Sequence, residues 1–283
     1  MNAVRRPLGD APNRSYAAKL ERFAHFAEPE IRRVIDDLGI RAGSTVLDVG
    51  CGAGQITSWL AERVGVHGTV IGLELSMPHL RAAGRPSGVQ FVQADVADPC
   101  IRKSSVDFVW CSNMINHLED PVEALVRLSG ISRPGGRLGL VQSSLLPEMY
   151  FAWEARLEDE VRRACYAYYR EKYGLSVADT TSVRRMVGLM VDAGLSKVAA
   201  KTYVIERIQP LSEHDRSYFR EVVFEGYWGA KLKPYLAERD WFTLQSYCDP
   251  DSSAYCLNRP DFHHIQSLTV VQGGFETSDI AAP

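Results

Sequence analysis

The chain has 283 residues, and 32 Lys and Arg against 35 Asp and Glu leave a net charge of −3. With 46% hydrophobic and 24% charged residues, it is large and apolar enough to bury a core without metals or disulfides as staples. The mild acidity argues against a surface built to grip nucleic-acid phosphates. No stretch reaches the roughly 20 uncharged apolar residues that span a bilayer.

The first residues, Met1 to Arg14, are polar, and Arg5-Arg6 is not followed by an apolar run, so a cytoplasmic protein without an export signal is expected. From Tyr16 to Leu38, Ala17, Leu20, Phe23, Phe26, Ile31, Val34 and Ile35 recur at helical spacing, and Pro29 divides the stretch into two amphipathic helices. Ser44 to Val49 reads as a buried strand. It runs into Gly50-Cys51-Gly52-Ala53-Gly54, and a helix with Ile56, Trp59, Leu60 and Val64 on one face then stops at Gly65. A second strand ends at Glu74, a helix follows near Pro78, and a third strand from Val89 ends before Asp95. Asp107 to Cys111 is a fourth strand. Asp120-Pro121-Val122-Glu123 has the N-cap acid, the Pro and the Glu that open a helix, and Arg133-Pro134-Gly135-Gly136 turns into a fifth strand, Arg137 to Val141. Short apolar strands alternating with helices predict a parallel sheet covered on both faces.

After Ser144 the rhythm changes. Pro147 to Tyr173 predicts one long aromatic helix, Thr181 to Ala193 another, and Lys201 to Ile208 a sixth strand. Ser212 to Tyr247 again reads as helical and aromatic, and His263 to Val271 as a seventh strand whose paired histidines belong to a strand start. The division expected is an N-terminal helical arm (1–40), a ligand-binding α/β core (41–145), and a lid insertion with a core helix (146–198). The last strands with a helical insertion at about 211–261 (199–275) and a tail (276–283) complete it. The six cysteines form no C-x-x-C pair and have no histidine at zinc spacing, which predicts buried reduced thiols and no metal site.

The glycine turn lets backbone approach a ligand and leaves a helix N-terminus free to meet it. A dinucleotide site expects its third glycine at position 55, which is Gln. Asp48 just before the turn is a poor neighbour for a pyrophosphate and a good one for a cation. Glu74 at the next strand end can accept both hydroxyls of a ribose, and Asp95 at the third can read an amino group; all three acids face the edge where α/β sheets bind ligands.

With Val46-Leu47-Asp48-Val49-Gly50-Cys51-Gly52-Ala53-Gly54, Gly72-Leu73-Glu74, Gln93-Ala94-Asp95-Val96, Asp107-Phe108-Val109 and Arg133-Pro134-Gly135-Gly136 in this order, the chain resembles the class I S-adenosylmethionine (SAM)-dependent methyltransferases. The resemblance implies a Rossmann-like, seven-stranded, mostly parallel sheet with helices on both faces and an antiparallel last strand, to which this chain adds helical lid insertions. It also implies SAM across Asp48, Gly50, Cys51, Gly52 and Gly54, ribose on Glu74, and adenine near Leu75, Asp95 and Val96. Ser112 and Asn113 would line the methionine side. Pro210 to Phe262 departs from the usual short turn between the last two strands.

His117, soon after the fourth strand, is the candidate base, and Tyr16 is a candidate to close over cofactor or substrate. The Asn-Pro-Pro-aromatic sequence that accompanies methylation of planar bases and amides is absent at Ser112-Asn113-Met114-Ile115. The function expected is methyl transfer to an apolar or aromatic small molecule, probed against two alternatives: a cyclase or isomerase holding SAM as a fixed charge, and a non-catalytic partner subunit. Neither nucleic acid nor membrane is expected as a partner; the aromatic helices at 16–38 and 212–247 make a homodimer an option.

Overall fold

The computed structural model describes residues 14–143, 149–174 and 182–275. Helices α1 (Arg14–Phe26) and α2 (Glu28–Asp37) come first, with Pro29 in the first turn of α2, where a missing N–H costs no hydrogen bond. The alternation then runs β1 (Thr45–Val49), α3 (Gln55–Val64), β2 (Thr69–Glu74), α4 (Met77–Ala82), β3 (Val89–Gln93), β4 (Val106–Ser112), α5 (Pro121–Ile131), β5 (Ser132–Ser143). The predicted opening of α5 is present: Asp120 Oδ1 accepts the Glu123 N–H at 2.9 Å, with Pro121 beside it.

The later half departs further from its pattern. Met149–Phe151 is a short strand, β6, and the helix read from Pro147 begins only at Ala155 (α6, Ala155–Tyr173). The reason is pairing: the first residues of β8 (His263–Gly274) project past the end of β5 and need a neighbour, which Met149, Tyr150 and Phe151 supply opposite Gln266, Ile265 and His264. Helix α7 (Met186–Asp192) leads into β7 (Ser196–Ile208), which starts earlier than its apolar alternation suggested. The stretch read as one helix from Ser212 is four pieces: α8 (Glu213–Ser217), a π-helix (Tyr218–Tyr227), a 3₁₀ segment (Ala230–Tyr235) and α9 (Glu238–Cys248). Gly229 and Pro234 interrupt it, as neither sustains helical hydrogen bonding.

Strands β3-β2-β1-β4-β5 are parallel neighbours in that order, and β8 runs antiparallel to β5. β7 pairs with β8 along its whole length on the edge away from β5, so β6 prolongs the row of β5. Eight strands therefore make the seven-row, mostly parallel sheet that the resemblance implies.

Cross-strand partners share a face, and the core divides accordingly. One face buries Leu47, Val49, Val109, Leu138 and Leu140 with α5 and α7. The other buries Val46, Phe108, Trp110, Val141, Leu268 and Val270 with α1, α2, α3, α6 and the 211–261 insertion. Aromatics of that insertion are core: Phe26 of α1 stacks on Tyr218 at 4.0 Å, and Tyr218, Phe219, Phe224, Trp228 and Trp241 are buried, whereas Phe242 is exposed. The aromatic faces that invited a dimer are thus largely covered within one chain. Arg207 fastens arm to insertion, pairing with Glu30 at 2.9 Å and Asp215 at 3.0 Å and donating to the Phe26 carbonyl. Of the free cysteines, Cys51, Cys111, Cys165 and Cys256 are buried, but Cys100 is exposed, contrary to the uniform burial expected.

Candidate ligand site at the carboxyl edge

Parallel pairing brings the carboxyl ends of β1, β2, β3 and β4 to one edge. Gly50, Gly52 and Gly54 follow β1 with φ of 71°, 55° and 78°, a region that side chains adopt at a cost. Space forbids side chains too: a Cβ on Gly54 would lie 2.9 Å from Phe91 Cζ, and one on Gly50 2.7 Å from Met114 Cγ. A Cβ on Gly52 would lie 3.2 Å from Leu20 Cδ1, so α1 covers the turn. Leu20 read as one more member of an apolar stripe, and Met114 as a loop residue; only the fold shows both seated on the glycines.

Asp48 and Glu74 project from the same sheet face, since Asp48 is opposite Gly72 in register. Asp48 is 2% exposed and accepts a hydrogen bond from the Thr57 hydroxyl at 2.6 Å. Burial is the main reason its carboxyl is pushed up to about 7, and the negative charge of Glu74 adds to this while Thr57 opposes it. Glu74 is also subject to burial, which would raise it. His79, 3.8 Å away, and the N–H groups of Ser76 (2.8 Å) and Gly52 (2.9 Å) outweigh that and hold it below the ordinary carboxylate range. Thr57 and His79 carry no motif signal and were not anticipated.

Each oxygen of Glu74 is engaged by one backbone N–H, which leaves lone pairs on both for a ligand diol. Two neighbouring carboxyls, one of them pushed up to about 7 for want of a counter-charge, suit a ligand that brings positive charge. Residues present at this edge therefore fit SAM, which carries a diol and cationic groups.

Leu75 is 63% exposed beside Glu74, an apolar surface free to be covered by a ligand ring. Asp95 is exposed and turns Oδ1 to the Ala97 N–H at 2.9 Å, while Val96 is buried. Cys51 is buried and its thiol is pushed well up by burial, so it packs as a small apolar group. After β4, Ser112 is half-buried, and Asn113 (φ 51°) uses its side-chain oxygen to accept from Ser143 N–H (2.9 Å), Ser143 Oγ (3.0 Å) and Gln142 Nε2 (3.0 Å). That oxygen clamps β4 to β5. His117 ends a 3₁₀ turn, Ile115–His117, and is half-buried; burial lowers its pKa against the pull of Glu74. Tyr16 lies in α1, but its side chain is outside the described residues. Among the described residues no group of His, Cys, Asp and Glu is placed to hold a metal.

Residues 47–140 match the family model described as a methyltransferase domain. The chain is 38% identical over 121 residues to nocamycin O-methyltransferase of Saccharothrix syringae, covering 41% of this chain and 43% of that protein. It spans less than half the length of the first curated relatives it matches. Among solved structures, a SAM-dependent methyltransferase from Aquifex aeolicus aligns with a TM-score of 0.51 at 19% identity, over 67% of this chain and 91% of that one. Geranyl diphosphate C-methyltransferase from Streptomyces coelicolor, solved with S-adenosyl-L-homocysteine, aligns with a TM-score of 0.51 at 16% identity over 94% of this chain and 86% of that one. At these identities the two structures attest the fold.

Proposed function

We propose that the chain, whose residues 47–140 match a methyltransferase domain, is a class I SAM-dependent methyltransferase that transfers the methyl group of SAM to an apolar or aromatic small molecule, a specialised metabolite. The observation that carries the proposal is the pairing of Asp48 and Glu74 around a glycine turn that has no room for side chains. The name of the Saccharothrix relative, an O-methyltransferase of nocamycin, supports a small-molecule acceptor.

When bound, SAM supplies an electrophilic methyl on a positively charged sulfur. Glu74 would bind the ribose hydroxyls, and Leu75, Asp95 and Val96 would hold the adenine, Asp95 accepting from its amino group. Asp48 and the turn at Gly50, Cys51, Gly52 and Gly54, whose N–H groups are committed to Leu73, Glu74 and Cys51 but whose backbone a ligand can approach closely, would hold the methionine portion, with Ser112 beside them. Asn113 acts through position, keeping the β4 loop against Ser143. Leu20 seats α1 over the turn and excludes water, as in-line displacement requires, and Tyr16, one turn earlier in sequence, is assigned to close over cofactor or substrate. His117, with its pKa lowered by burial, is neutral at pH 7 and available to take the acceptor's proton. The arm helices α1 and α2, helix α6 of the 146–198 insertion and the insertion at about 211–261 serve as the lid. Free cysteines favour a reducing, cytoplasmic setting, and no helix among the described residues is long and apolar enough to cross a membrane.

Incubation with isotopically methyl-labelled SAM and a panel of phenols, enols and carboxylic acids, followed by mass spectrometry, tests the proposal. Labelled product heavier by one CH₂ is expected. A product of unchanged mass would transfer the assignment to the cyclase or isomerase class.

A further inference from the structure

The sheet face that buries Leu47 and Leu140 is covered by α5 and α7, and α7 is apolar on both of its sides. Met186, Leu189 and Met190 are buried against the sheet. Val187 and Val191, one turn apart on the outer side, stay 46% and 57% exposed. Gly188 beside them has open space, since a Cβ there would meet nothing within 4 Å. Helix α5, packed next to α7, adds exposed Val126 to the same layer. A surface helix ordinarily turns polar residues outward, and adjoining exposed apolar groups mark a contact surface. Glycine weakens a helix interior, so its place here suits a backbone that must come close.

Charge says what covers this face. Arg184 and Arg185 precede α7 and Asp192 ends it, all three exposed, so each end carries the sign that the helix dipole disfavours. The Asp192 carboxylate makes no ion pair or hydrogen bond among the described residues. At 3.6 residues per turn, Val187 and Val191 lie within about 40° of each other on one flank of the outer stripe. Arg185 and Asp192 lie within about 20° of each other on the other flank, with Gly188 between the two pairs.

A second copy of the helix, running the opposite way across a two-fold axis near Gly188, sets Val187 against the partner's Val191 on one flank. On the other it sets Arg185 against the partner's Asp192. Both pairings centre within about one residue of each other, so a single placement satisfies them, as a two-fold contact requires. A parallel copy would oppose like charges. Val204 and Ile208, exposed on β7 at the edge of the sheet, lack this match: two-fold antiparallel pairing that joins them opposes Glu206 to the partner's Glu206.

We propose that α7 is a self-association surface, through which two copies of the chain pair antiparallel on Val187, Gly188 and Val191, with Arg185 and Asp192 joined across the two-fold. The surface is on the sheet face opposite Asp48, and its use does not depend on the cofactor reading.

Sedimentation velocity of the whole chain from about 5 to about 500 μM tests it. The weight-average mass should rise from that of one chain toward that of two, with half-association at roughly tens of micromolar, as for a small interface. Val191→Glu should weaken association at least about 10-fold, with Tm within a few degrees of the unmutated value because the side chain is exposed in the single chain. Asp192→Arg and Arg185→Asp should each weaken it at least about 5-fold, since like charges then meet across the axis. Their equimolar mixture should associate at least about 5-fold more tightly than either variant alone, because each opposes the other with the complementary sign. Both changes agree with the helix dipole, so both variants should fold. A single-chain mass at every concentration would overturn the proposal, as would a mixture that associates no better than its components. A dimer that Val191→Glu leaves intact would overturn it too, and loss of that dimer in Val204→Lys would then place the contact on the edge of β7.

Discussion

Replacing Asp48 by Asn separates what this carboxyl does for the ligand from what it costs the fold. In the folded chain it titrates near 7, against 3.8 for an exposed aspartate, because burial penalises the ionised form. Between these values the unfolded chain has lost the proton and the folded chain still holds it. Stability from this group is therefore full below pH 4, falls as pH rises through 7, and is constant above. A shift from 3.8 to about 7 corresponds to roughly 4 kcal/mol over the whole range, of which about 2–3 kcal/mol falls between pH 5 and 8. The amide of the variant does not titrate and keeps an oxygen for the Thr57 hydroxyl. Denaturant unfolding of both proteins at pH 5 and pH 8 reads the difference directly, other groups cancelling in the comparison. Asp48→Asn should gain about 2–3 kcal/mol on the unmutated chain between the two pH values, while losing SAM affinity at pH 8 by roughly 10-fold or more, the size of one charge-assisted contact. A stability gap independent of pH would refute the reasoning, since it would mean that Asp48 is ionised in the fold throughout.

Three further substitutions probe the supporting structure. Gly54→Ala forces a side chain into a φ of 78° and to within 2.9 Å of Phe91, so thermal unfolding should show a loss of about 1–3 kcal/mol together with weaker SAM binding. Leu20→Ala uncovers the glycine turn; SAM affinity should fall about 3- to 10-fold by fluorescence titration, with Tm within a few degrees of the unmutated value. Arg207→Met leaves Glu30 and Asp215, 15% and 13% exposed, without their shared cation, and should cost about 3 kcal/mol and hasten proteolysis within α1.

The core was legible because its signals are local. A five-residue apolar run, a glycine turn and a capped helix each declare themselves within a dozen residues, and repetition in order leaves one topology. Asp48, Glu74 and Asp95 could be placed at one edge because parallel strands end together. Signals failed where partners are distant in sequence. Nothing around Met149 to Phe151 separates a short strand from a first helical turn; the projecting end of β8, more than a hundred residues away, decides it. Leu20 over Gly52, Met114 over Gly50 and Thr57 on Asp48 are likewise contacts between elements, with no periodicity to announce them. Arg156 shows the same limit: besides its neighbour Glu154 it reaches Asp240 of α9, 84 residues on, at 2.7 Å. Asn113 reads as a residue free to line a ligand, but its side-chain oxygen proves to be occupied by β5.

Titration calorimetry of the intact chain with SAM and S-adenosylhomocysteine, beside Glu74→Gln, tests most directly whether the acidic edge of β1 and β2 holds a cationic diol. Saturable heat for both ligands is expected, with Glu74→Gln weaker by about 100-fold, the equivalent of losing about 2.7 kcal/mol of charge-assisted hydrogen bonding. No heat for either ligand, with tight uptake of a nicotinamide dinucleotide instead, would contradict it.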